Sequence, residues 1–266
     1  MGDAPPLDLD AYLARIGYAG ERRPSLDVLQ AVHEAHATRI PFENLDLMLG
    51  RPIRVDLPAI EAKLVRARRG GYCFEHNLLL AAALSALGFG VTLLLARVRV
   101  DPPRAVARTH LVLRVRPADA HDVLADVGFG ADGLLRPVPL DPTGTVTVGH
   151  WSWRIEREGD IRVMRSARAG RWRDLYAFSL EPQLPVDVEV ANHYVSTHPE
   201  SRFLHTLTAQ RMAPDARWTL RNRELVVDRG DSLETRTLSS REEVLRALAD
   251  DFGLPIDAGA PLRIPG

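Results

Sequence analysis

The chain of 266 residues holds one cysteine, Cys73, and one lysine, Lys63. A single cysteine excludes an intramolecular disulfide and any four-cysteine zinc site. A single lysine removes Schiff-base chemistry unless Lys63 carries it. A basic surplus is also missing. Lys plus Arg number 34 against 35 Asp plus Glu, a net charge of −1. That balance argues against a dedicated nucleic-acid binder, because a phosphate backbone asks for excess positive charge. No apolar run is long. The longest, residues 78–84, falls far short of the ~20 residues of a membrane span. The start, residues 1–6, is acidic and proline-rich, unlike a basic secretory leader. With no disulfide and no leader, the expected compartment is the cytoplasm. What remains, 45% hydrophobic and 26% charged residues, is the composition of a folded globular protein.

The first 88 residues read as helical. Ser25 is placed to cap a helix in which Leu26, Leu29 and His33 share a face, and Pro41 ends it. Asp56 is placed to cap a second helix carrying Ile60 and Leu64, which the pair Gly70-Gly71 stops. A third, over 72–87, is apolar nearly all round and should be buried. After Gly88 the pattern turns to strands, at 91–100, 108–116, 123–127, 145–157 and 161–168, and more weakly at 176–180. Their spacing predicts an antiparallel sheet closed or nearly closed on itself. A helix is expected over 185–198, then strands at 203–210, 217–222 and 224–228. A last helix is marked by the capping box of Ser240 and Glu243.

Cys73 falls at the start of the buried helix, just after two glycines. A helix N-terminus has unpaired N–H groups and a partial positive charge, which favour thiolate over thiol. The same N–H groups can hold an oxyanion. The competing reading is a small buried core residue. A nucleophile needs a base and an orienting acid. Of nine histidines, His33 and His36 lack a third ligand for a metal and are expected on a solvated helix face. His76 lies three residues past Cys73 and has no evident carboxylate partner; it stays the alternative base. His121, His150, His193, His198 and His205 are expected at the surface. His110 opens one strand and Asp126 ends the next. Consecutive strands usually pair, so the two can be neighbours at one end of the sheet. An aspartate in a strand runs against propensity and needs a partner such as a histidine N–H.

The segment Arg69-Gly70-Gly71-Tyr72-Cys73-Phe74-Glu75-His76-Asn77 resembles the RGGxCFExN signature of the arylamine N-acetyltransferases. Ile40-Pro41-Phe42-Glu43-Asn44-Leu45 is similar to that family's IPFENL segment. Thr109-His110-Leu111 and Asp126-Val127-Gly128-Phe129-Gly130 resemble its histidine and aspartate blocks. The run from Ser196 through His198 to Phe203 is similar to its post-barrel segment. These blocks occur in the family's order.

The resemblance implies an α+β fold: an N-terminal helical bundle over 1–88 carrying the cysteine, a central antiparallel β-barrel over 89–184, and an α/β lid over 185–266 that starts with an interdomain helix. The core is cysteine-protease-like, with Cys73, His110 and Asp126 as its triad. It implies a ping-pong transfer of acetyl from acetyl-CoA, through a Cys73 thioester, to arylamines, arylhydrazines or N-hydroxyarylamines, with no metal. Phe42, Phe129 and Phe203 are expected to line an apolar acceptor slot, and Thr109 and Gly130 to contact the cofactor. Arg69 and Glu43 are expected to form an ion pair bracing the cysteine loop. The absence of the long insertion of vertebrate members points to a bacterial type. The expected partners are small molecules and, as an open option, a second copy of the chain; neither nucleic acid nor membrane is expected. Two alternatives stand beside this: a macrolactam-forming amide synthase of the same fold, and a non-catalytic binding protein.

Overall fold

A computed structural model describes residues 6–99, 105–141, 144–168 and 170–265. The leader expectation at residues 1–5 and the end of the first strand at Val100 lie outside the described residues. The helical segment comprises α1 (Leu9–Ile16), α2 (Leu26–Arg39), a short strand β1 (Phe42–Glu43), α3 (Leu45–Met48), α4 (Leu57–Ile60) and α5 (Cys73–Ala86). Asp56 caps α4 as expected, its carboxylate accepting the Ala59 N–H at 3.1 Å. The helix continues as a π-helical turn over Glu61–Arg66 and stops there, ahead of the two glycines. Ser25 stands at the N-cap of α2, its carbonyl accepting the Leu29 N–H at 3.0 Å, but its side chain makes no capping bond. The charged carboxylate of Asp119 takes the Leu26 N–H at 2.9 Å instead, a stronger acceptor than a hydroxyl.

An eight-stranded antiparallel sheet follows. It is built from β2 (Gly90–Val98), β3 (His110–Arg116), β4 (Val123–Ala125), β5 (Val138–Pro139), β6 (Val146–Val148), β7 (Trp151–Glu158), β8 (Ile161–Arg168) and β9 (Arg171–Phe178). The order β5-β4-β3-β2-β9-β8-β7-β6 curls into a nearly closed barrel around Trp151, Trp153, Tyr176 and Phe178. The strand expected over 145–157 is two strands, split at Gly149, whose φ of +57° turns the chain. The strand expected at 176–180 begins earlier, at Arg171.

The rest is α6 (Pro185–Thr197), β10 (Thr208–Met212), β11 (Arg217–Arg221), β12 (Glu224–Asp228), β13 (Leu233–Thr237) and α7 (Arg241–Phe252). β13 is exposed throughout and shows no apolar alternation, so the sequence pattern gave no sign of it. The strand expected at 203–210 forms only from Thr208; Arg202–Leu204 is a 3-10 turn. Asn44 explains the difference. Its Nδ2 donates to the carbonyls of Phe203 and Thr206, both at 2.8 Å, and its Oδ1 accepts the Thr208 N–H at 2.8 Å, which holds the segment curled. The second sheet, ordered β1-β10-β11-β12-β13, takes its first strand from the helical segment.

Two apolar cores result. One joins α1, α2 and α5 to the barrel. The other gathers Phe42, Tyr72, Cys73 and Phe74 with α6, α7 and the second sheet. The nucleophile candidate sits where they meet.

Candidate active site

Cys73 is the first residue of α5 and is buried. Glu75 turns back to accept the Tyr72 N–H at 3.1 Å, which fixes the entry to the helix. The Tyr72 hydroxyl donates to Asn192 on α6. The two glycines before it are there for close approach. At Gly70 a Cβ would come within 2.0 Å of the Pro41 carbonyl oxygen.

The loop before Cys73 is braced by buried charge. Arg69 Nη2 meets Glu43 Oε1 at 2.6 Å, as expected, and Arg69 Nη1 meets Asp46 Oδ1 at 3.2 Å. The lone lysine belongs here too. Lys63 Nζ lies 2.7 Å from Asp46 Oδ2 and 2.8 Å from Glu75 Oε1. Burial opposes its charge, but the carboxylates of Glu43, Glu75 and Asp46 outweigh burial and raise its pKa.

His110, at the first position of β3, and Asp126, one residue past β4, come together because β3 and β4 pair antiparallel with Leu113 opposite Ala125. His110 Nε2 lies 2.7 Å from Asp126 Oδ2. The other carboxylate oxygen accepts from Asn77 Nδ2 and from the Gly128 N–H, each at 2.9 Å. Asn77 also donates to the Leu111 carbonyl at 2.7 Å and accepts the Val127 N–H at 3.0 Å. Burial disfavours the charged forms of both His110 and Asp126. For His110 the charge and hydrogen bond of Asp126, with the Cys73 sulfur nearby, win, and its pKa is raised to about 10. For Asp126 the His110 charge wins, and its pKa is lowered.

The Cys73 thiol points at the Thr109 carbonyl oxygen, 3.7 Å away, beside His110. Gly128 closes the other side: a Cβ there would lie 2.7 Å from Cys73 Cα. Tyr176 packs on His110 at 4.8 Å between ring centroids, and Phe129 at 5.1 Å edge to face. The Tyr176 hydroxyl is buried near the Asp126 carboxylate, with no hydrogen bond of good geometry among the described residues. Burial and the Asp126 charge keep it protonated.

His76 does not face Cys73. Its Nε2–H donates to the Pro41 carbonyl at 3.2 Å, and its Nδ1 accepts from His36 Nε2 at 3.0 Å. His36 Nδ1 in turn accepts from the Tyr12 hydroxyl at 2.9 Å. His33 and His36, expected in solvent, are wholly buried. Their polar atoms are matched by partners distant in sequence, which spacing along one helix cannot reveal.

A cavity of about 480 Å³ opens over Cys73 and His110. Phe42, Phe129, Phe203 and Thr109 all line it. Gly130 lies behind the wall, buried against Gln210, while its neighbours Phe129 and Ala131 face the cavity. Arg202 and Arg221 line it without a carboxylate partner among the described residues. The sequence reading missed Asn77's role, Tyr176, His33 and the Lys63 contacts. The one available signal was that Asn77 closes the cysteine motif. No group of three or more His, Cys, Asp or Glu among the described residues is placed to hold a metal ion, and no helix there is long and apolar enough to cross a membrane.

Comparison with known proteins adds four findings. The N-acetyltransferase family model matches residues 25–260. The arylamine N-acetyltransferase of Mycolicibacterium smegmatis is 42% identical over 94% of this chain and 93% of its own length. The Salmonella typhimurium arylamine N-acetyltransferase / N-hydroxyarylamine O-acetyltransferase is 35% identical over 94% of this chain and 89% of its own. Among solved structures, Mycobacterium marinum arylamine N-acetyltransferase in complex with CoA superposes with a TM-score of 0.88 at 39% identity, covering 93% of each chain.

Proposed function

The chain belongs to the arylamine N-acetyltransferase family, and from that we propose that it transfers acetyl from acetyl-CoA to arylamines, arylhydrazines and N-hydroxyarylamines by a ping-pong route through a Cys73 thioester. The observation that carries the reading is the hydrogen-bonded pair of His110 and Asp126 set against the lone cysteine at a helix N-terminus.

Cys73 passes its proton to His110 as its sulfur attacks the thioester carbonyl of acetyl-CoA. The oxyanion of the tetrahedral intermediate is met by N–H groups of the first turn of α5, that of Cys73 among them, since these have no intrahelical acceptor. The C–S bond to CoA breaks and His110 returns a proton to the leaving thiolate. In the second half the acceptor nitrogen attacks acetyl-Cys73 while His110 takes its proton, and Cys73 leaves. Asp126 holds the His110 tautomer and supports the imidazolium.

Phe42, Phe129 and Phe203 are the proposed acceptor slot. Thr109 on the wall and Gly130 just behind it form the donor side, where the unpaired charges of Arg202 and Arg221 suit the phosphates of CoA. The segments 1–88, 89–184 and 185–266 act as bundle, barrel and lid, with the nucleophile, its base and the closing wall divided among them.

Mass spectrometry of the protein after incubation with acetyl-CoA alone tests the reading. One acetyl group on Cys73, discharged by added arylamine, supports it. A folded protein that takes no acetyl group points to a different acyl donor, as in the amide synthases.

A further inference from the structure

His33 has no step in this chemistry, yet its ring is wholly buried and both nitrogens are engaged. It projects from α2. Nδ1 lies 3.1 Å from the Leu135 carbonyl oxygen, and Nε2 lies 3.1 Å from the Asp126 backbone nitrogen. A carbonyl only accepts and a backbone N–H only donates. The two contacts therefore fix the ring: Nδ1 carries the proton and Nε2 the lone pair. Burial, opposed by the Leu135 carbonyl and Asp126, lowers its pKa to about 4, so the ring stays neutral at working pH.

Asp126 and Leu135 are the two ends of one loop. That loop leaves β4, crosses the face of Cys73 at Gly128, presents Phe129 to the cavity and returns toward β5. The ladder of β4 with β3 stops at Ala125, so the Asp126 N–H lacks a strand acceptor. His33 supplies one and holds the far end of the loop with its other nitrogen. The Asp126 carboxylate is already fixed at its head by His110, Asn77 and the Gly128 N–H. What remains free is its backbone.

We propose that His33 is a positioning residue for acyl transfer: by accepting the Asp126 N–H and donating to Leu135 it clamps both ends of the 126–135 loop and sets where the Asp126 carboxylate meets His110. The inference rests on the proposed roles of Cys73, His110 and Asp126. It assigns to the helical bundle a part in tuning the base, beyond carrying the nucleophile.

Three substitutions separate the two contacts. His33→Gln places an acceptor near the level of Nε2. His33→Asn keeps a donor near Nδ1 but does not reach Asp126. His33→Phe keeps the ring and neither contact. Acetyl transfer from acetyl-CoA to aniline is followed across pH, with urea unfolding to establish the folded fraction. In Asn and Phe, kcat per folded molecule should fall about tenfold to a hundredfold with KM for aniline little changed, since an ångström of misplacement at a reacting group has effects of that size. In both, the upper ionisation of the kcat/KM profile should move toward neutrality, because a displaced Asp126 supports the imidazolium less. Gln should stay within a few-fold of wild type. A folded Asn variant with the wild-type kcat and pH profile overturns the proposal, as does a Gln variant as impaired as Phe. Should the variants not fold, 15N NMR of the wild-type imidazoles decides: a neutral His33 protonated at Nδ1 is expected, and an Nε2–H ring refutes the clamp. Failure of the underlying reading looks different: wild-type Cys73 would take no acetyl group from acetyl-CoA, whatever the His33 tautomer.

Discussion

Gly128 rests directly on the backbone of Cys73: a Cβ at residue 128 would come within 2.7 Å of the Cys73 Cα and 2.9 Å of its carbonyl oxygen. Neither is the movable end of a side chain, so Gly128→Ala must push the loop off the helix. The Gly128 N–H to Asp126 Oδ1 bond goes with it. The variant should lose about 1–3 kcal/mol of stability, the usual size of overpacking, and at least ~tenfold in kcat. Urea unfolding beside steady-state rates checks both; an unchanged kcat would mean the loop is not coupled to the chemistry.

Cys73→Ala should abolish turnover with every acyl donor and leave no acyl adduct, because the chain has no other cysteine. The substitution removes one buried sulfur, so the fold should survive, and circular dichroism serves as the control. Retained activity would rule out a thioester route.

Asp126→Asn should lower kcat by about 10⁴, the cost of a misassigned histidine tautomer in a comparable triad. Removing the carboxylate also removes the largest influence raising the His110 pKa. The upper ionisation of the kcat/KM profile should accordingly fall well below 10. A profile unchanged from wild type would show that the pair does not govern the rate.

Arg69→Ala should destabilise strongly. Glu43 is fully buried, and Arg69 is its ion-pair partner. Stripping one partner from a buried pair costs about 3–5 kcal/mol because the other charge is left uncompensated. Arg69→Met/Glu43→Leu should recover part of that loss in urea unfolding. A single variant as stable as wild type would make this network an incidental contact.

Stability should fall as pH drops below about 6.5. Burial holds His33 and His76 neutral in the folded state, with pKa values lowered to about 4, while the unfolded rings titrate near 6.5. Between those values the unfolded chain binds more protons, so unfolding becomes easier as pH falls. His110 works in the opposite sense. Its folded pKa is raised to about 10, so its contribution is complete below 6.5 and fades as pH rises toward 10. Glu75, pushed up to about 7 by burial, offsets one of the two buried histidines between pH 4.5 and 6.5, and the balance places the stability maximum near pH 6.5, to be read from urea midpoints between pH 5 and 9. A midpoint that rises steadily on acidification through this range would contradict the assignment.

The proposed nucleophile, base and acid, and the pairing of His110 with Asp126, were legible because each depends on short-range signals. Two glycines and an apolar run mark a helix start at Cys73, and consecutive strands bring His110 to Asp126. The supporting contacts were not legible. His33 and His36 look like polar residues on an ordinary helix until α5 and the 126–135 loop are packed against them, and nothing in their spacing predicts a Leu135 or His76 partner. The curl at 203–208 escaped for the same reason. Its cause is the side chain of Asn44, far away along the chain. Local pattern reports which backbone shape a segment favours alone; it is silent where a distant polar group supplies the hydrogen bonds.

Phe42 is bridged on one side to Gly71, two residues ahead of Cys73, and paired on the other to Gln210 in β10. During synthesis this imposes an order. Cys73 leaves the ribosome early, but the strand that seats Phe42, and the Phe203 wall beside it, arrive only when most of the chain has been made. A nascent chain therefore carries its thiol without a finished pocket around it until the 203–212 segment, some 130 residues later in the chain, has followed it out.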